Sequence, residues 1–67
     1  METKAKVIRD MIVALLDDDD GISGDAFAHL WNMIASVELQ EDDRQELSTI
    51  LIRADATDGR YYLPEQN

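Results

Sequence analysis

Apolar residues in this chain recur every three or four positions, the spacing of one helical face, in three separate blocks. In the first, Ala5, Ile8, Met11, Ile12 and Leu15 line up over residues 2 to 16, a stretch without Gly or Pro. Val7, Val13 and Leu16 fall off that line, so the apolar surface is wider than one neighbour covers. In the second block, from Gly24 to about Val37, Phe27, Leu30, Trp31, Ile34 and Val37 form the stripe. Glu38 would fall in the middle of it, which ends the helix there and leaves Leu39 and Gln40 as the turn. The third block opens on Glu41, Asp42 and Asp43, an acidic first turn that the helix dipole favours, and buries Leu47, Ile50, Leu51 and Ala54. Asp58-Gly59 reads as its stop, Gly59 being suited to the left-handed conformation that follows a helix.

Between the first two blocks lies Asp17-Asp18-Asp19-Asp20-Gly21-Ile22-Ser23-Gly24-Asp25. Carboxylates are unfavourable at a helix C-terminus, each costing roughly 0.3 to 1 kcal/mol when exposed. The next helix begins a few residues later, so Asp19, Asp20 and Asp25 can face its positive end. Ser23 is placed as the N-cap, with Ile22 and Phe27 at the two positions of a hydrophobic staple.

No period-two alternation is long enough for a strand, and no internal repeat is present. The expected fold is therefore all-α: a small three-helix bundle, up-down-up, forming a single domain over residues 1–59. Residues 60–67 are expected as a short irregular C-terminal tail. This ordering puts Asp17 to Asp20 and Arg60 at one pole, and Glu38 to Asp43 at the other beside Lys4 and Lys6.

Charge sharpens the picture. The formal net charge is −9, and residues 17 to 43 contain nine acids with no Lys or Arg among them. Such a surface repels nucleic acid and anionic membranes, so direct binding to either is not expected, whereas a basic protein surface is attracted. The chain has no cysteine, which removes disulfides and Cys-based zinc sites and fits a reducing, cytoplasmic setting. The longest apolar run, Met11 to Leu16, falls far short of the ~20 residues of a membrane span. A chain of 67 residues buries only roughly 60% of its unfolded surface, so a partner subunit would add stability.

Candidate chemistry is sparse. Four consecutive aspartates invite a calcium reading, but Gly21 at the sixth position of an EF-hand loop puts Leu16 at the first, Gly24 there puts Leu30 where the terminal glutamate belongs, and a loop from Asp55 has Gly59 one place early and Gln66 at the twelfth. His29, with Asp25 four residues before it, lies roughly 160° from the apolar stripe and has no nucleophile to serve. Gly21-Ile22-Ser23-Gly24 lacks the Lys-Ser/Thr of a phosphate-binding loop and is flanked by acids. Phe27 and Trp31 read as core anchors. No catalytic residue, cofactor or metal ligand is assigned, and an enzyme is not expected.

Apolar residues beyond the needs of the bundle are Val13, Leu16, Met33, Ile52, Tyr61, Tyr62 and Leu63. They point to an interface, with a homodimer the simplest form. The expected function is that of a small, acidic, non-enzymatic interaction or regulatory protein, of the kind phages and other mobile elements encode as accessories. Its partner-binding residues are expected to be Asp17, Asp18, Asp19, Asp20, Asp25, Met33, Ile52, Tyr61 and Tyr62. Two alternatives share the same acids: a nucleic-acid mimic that blocks a DNA- or RNA-binding protein, and a module responsive to a divalent metal.

Overall fold

The computed structural model describes residues 3–64, and the elements run α1 (Lys4–Leu16), β1 (Ile22–Ser23), α2 (Gly24–Ser36), α3 (Glu41–Ile52), β2 (Asp55–Thr57), β3 (Arg60–Tyr62). Helices α1 and α2 fall where the apolar periodicity places them, and α3 starts at Glu41 as expected but ends at Ile52, short of the expected stop. The all-α expectation is nonetheless wrong, because the three strands form an antiparallel sheet in the order β1-β3-β2. The fold is α+β.

The correction centres on Asp58-Gly59. Read from sequence as the stop of the third helix, it is instead the two-residue turn of a hairpin, with Thr57 opposite Arg60. Both residues have positive φ, 53° and 78°. That pair of values is the type I′ geometry whose twist matches antiparallel strands, and Asp-Gly is one of its preferred sequences. Helix α3 has already ended at Ile52, and Ala54, assigned to its buried face, follows it in the connection to β2.

Residues 60–62 are accordingly the central strand of the sheet rather than part of an irregular tail; residues 65–67 of that tail lie outside the described residues, as does Glu2 of the first predicted helix. Strand β3 pairs with β1 through Ile22↔Tyr61 and Ser23↔Arg60, and with β2 through Asp55↔Tyr62 and Ala56↔Tyr61. Just past it, the Leu63 N–H donates to the Leu16 carbonyl at 2.9 Å, fastening the end of the sheet to the end of α1.

The core comprises Ile8, Ile12 and Leu16 of α1, Ile22 of β1, Leu30 and Ile34 of α2, and Leu47 and Leu51 of α3. The buried line on α1 is displaced from the predicted one. Leu16 is buried, while Met11 and Leu15 are exposed. Capping follows local chemistry: the Thr3 side chain accepts from the Lys6 N–H and Ser23 Oγ from the Ala26 N–H at 3.2 Å. Gln40 caps α3 without a side-chain hydrogen bond.

The connection between α2 and α3 is four residues long, and Arg44 organises it. Its guanidinium donates to the carbonyls of Ile34, Val37 (3.1 Å) and Leu39 (3.5 Å). These include orphan acceptors at the C-terminus of α2, where a cation is also favoured by the helix dipole. Two helices joined by so short a turn have the local element order of a helix-turn-helix motif.

Candidate functional site

The acidic run forms the turn between α1 and β1, and its backbone is fixed from three directions. Asp18 Oδ1 accepts from the Asp20 N–H at 2.9 Å, a local turn of the kind Asp favours. The Gly21 N–H donates to the Asp18 carbonyl at 2.9 Å. From β3, Arg60 reaches across with Nε donating to the Asp20 carbonyl and Nη2 to the Gly21 carbonyl at 3.3 Å. Arg60 therefore spends its donors on the loop's backbone.

Gly21 closes the turn in a space no other residue fits. Its φ is +63°, and a Cβ there would sit 2.4 Å from the Tyr61 carbonyl and 2.8 Å from the Tyr62 ring. Next to it, Tyr61 stacks on Phe27 with centroids 3.9 Å apart and ring planes 7° from parallel, and Phe27 meets Trp31 edge-on at 6.4 Å. A partly buried aromatic row thus joins β3 to α2 behind the loop.

Of the predicted interaction residues, Asp17, Asp18, Asp19 and Asp20 lie in the loop that ends at Gly21, and it is Gly21, not the aspartates, that packs against the Tyr61 carbonyl and the Tyr62 ring. Asp25 follows β1 in the first turn of α2. All five aspartates are exposed, whereas both tyrosines are half-buried. Met33 and Ile52 lie elsewhere: Met33 packs against the core from α2, and Ile52 is 70% exposed at the end of α3. Leu16, Tyr61 and Leu63, counted from sequence as surplus apolar surface, belong to the packed interior or its margin. Among the described residues the exposed large apolar side chains are Ile52, which was counted as surplus, and Val7, Met11 and Leu15, which were not.

Sequence reasoning gave Arg44 no role, and although it placed Arg60 at the pole of the aspartate run and Gly21 within that run, it did not foresee that Arg60 clasps the loop's backbone or that Gly21 packs against β3. The available signal was isolation: Arg44 is the one cation within α3, and it immediately follows Glu41, Asp42 and Asp43. Ion pairs among the described residues include Lys6–Asp10 at 2.9 Å and Arg9–Glu46 at 3.6 Å, the latter linking α1 to α3. They are exposed and contribute little. A groove lined by Thr3, Lys6, Arg9, Asp43 and Glu46 lies beside the second pair, with mixed charge and no convergent chemistry.

Among the described residues no group of three or more His, Asp or Glu side chains is placed to hold a metal ion, and no helix is long and apolar enough to cross a membrane. His29 is exposed on α2. No family model, curated protein or solved structure matches the chain.

Proposed function

We propose that this chain is a non-enzymatic interaction protein whose exposed carboxylates, Asp17 to Asp20 with Asp25, bind a protein partner that presents a basic surface. The observation that carries this reading is the way the loop divides its tasks. Arg60, Gly21 and the Asp18 turn hold the backbone, while the four carboxylates remain exposed. A pre-shaped loop loses less freedom on binding, and its charge steers a basic surface toward it.

The element order alone would also accommodate a DNA reader, but fold carries no function by itself. In a helix-turn-helix the first residues of the second helix contact bases. Here those residues are Glu41, Asp42 and Asp43, and Arg44 is committed to the carbonyls of α2 and its turn. Both features support a protein partner over nucleic acid. The same exposed carboxylates also suit a mimic, in which they occupy the phosphate sites of a DNA- or RNA-binding protein.

The experiment is affinity capture from the native host lysate with wild-type chain and with Asp17, Asp18, Asp19 and Asp20 all replaced by Asn. Asn preserves the local turn chemistry and removes the charge. A partner held at low ionic strength, released as salt shortens the Debye length from ~10 Å toward ~3 Å, and missing with the variant supports the reading. Capture unchanged by the four substitutions refutes it. Displacement of the captured partner by excess duplex DNA selects mimicry.

A further inference from the structure

We propose that this chain forms a symmetric dimer through α1, with two copies of the helix antiparallel and Met11 on the two-fold axis. Val7, Met11 and Leu15 are 52%, 40% and 42% exposed, although the same helix buries Ile8, Ile12 and Leu16. At ~100° per residue the three fall within about 80° of arc, beside the core line but distinct from it, and Lys4 lies on the same strip. Beyond the last turn of the helix the chain runs into Asp17 and Asp18.

Read end to end, this face is basic, then apolar, then acidic, over a helix about 20 Å long. That order makes a second copy of the chain the fitting occupant. Turned end for end, Val7 meets Leu15 of the second copy, Met11 meets its own equivalent, and Lys4 comes opposite Asp18, with each contact repeated across the axis. This is the self-complementarity that a two-fold interface requires. A parallel pairing would set the aspartate run against itself and Lys4 against Lys4. The net charge of −9 on each copy opposes association, and only three apolar side chains per copy drive it, so the dissociation constant is expected on the order of 10 µM. The inference does not rest on the partner-binding reading, because its tests leave every aspartate in place.

Sedimentation of the wild-type chain at concentrations on the order of 100 µM is expected to give a dimer. Met11→Glu, at an exposed position, is expected to keep the helical circular dichroism and to raise the dissociation constant at least tenfold. The chain has no cysteine, so single substitutions report register directly. Under mild oxidation M11C is expected to cross-link to itself, and a mixture of V7C and L15C to cross-link between the two variants, while V7C alone forms no cross-link. A monomeric wild type at that concentration overturns the proposal. So does Met11→Glu that dimerises as tightly as wild type, or V7C that cross-links to itself as readily as M11C.

Discussion

Gly21 and Gly59 both lie at positive φ, yet the structure gives them different weights. At Gly59 a Cβ would meet nothing within 4 Å, so a substitution there bears only the conformational penalty of a left-handed residue. At Gly21 the same penalty combines with a collision against the Tyr61 carbonyl, a backbone atom that cannot swing aside. Gly59→Ala is therefore expected to lower stability by about 1 kcal/mol, and Gly21→Ala by about 3 kcal/mol or more, in chemical denaturation. Equal losses would show that the Gly21 turn relaxes freely. Arg44 is the other residue on which local structure depends. Arg44→Met keeps the aliphatic stem but removes the donors shared by Ile34, Val37 and Leu39, and an expected loss of about 1.5 to 3 kcal/mol follows from hydrogen bonds to a charged group.

At the scale of elements, helix α3 begins without a side-chain cap, since Gln40 makes no such bond. Gln40→Ser is expected to supply it and to raise stability by roughly 0.5 to 1 kcal/mol, measured as a shift in the urea midpoint at constant slope. The same comparison of local signals explains what could be read from sequence. The Ser23 cap, the turn at Leu39-Gln40 and the start at Glu41 were legible because each depends on neighbours within four residues. The sheet was not, since strands of two and three residues are too short to display alternation, and Asp58-Gly59 serves equally well as a helix stop or a hairpin turn. What decides between them is the pairing of β3 with β1, a contact between residues roughly forty positions apart. Helix α1 was ambiguous for a related reason. Apolar residues cover more than half of its circumference, so the choice of Leu16 over Met11 and Leu15 for the interior depends on where α2, α3 and Leu63 come to rest. Of the candidate site, the acidic loop itself was visible in the sequence, but the Arg60 clasp that shapes it required the same long-range pairing.

For the molecule as a whole, charge and core work against each other. Among the described residues eight buried apolar side chains, with no disulfide, hold together a fold of radius of gyration 11.7 Å in a chain that carries a formal charge of −9. The ion pairs on its surface are exposed, so screening them removes little, whereas screening the mutual repulsion of fifteen acids against six bases removes a larger unfavourable contribution. Sodium chloride is therefore expected to stabilise the fold. A gain of about 1 kcal/mol corresponds to a rise of roughly 4 to 8 °C in Tm for a domain of this size. The same screening weakens attraction to a basic partner, so affinity should fall over the salt range in which Tm climbs. Differential scanning fluorimetry and a binding isotherm across one salt series test both signs together. A Tm that falls with salt would mean the attractive pairs dominate the surface. If affinity held constant while Tm rose, the carboxylates would govern solubility and stability without selecting a partner.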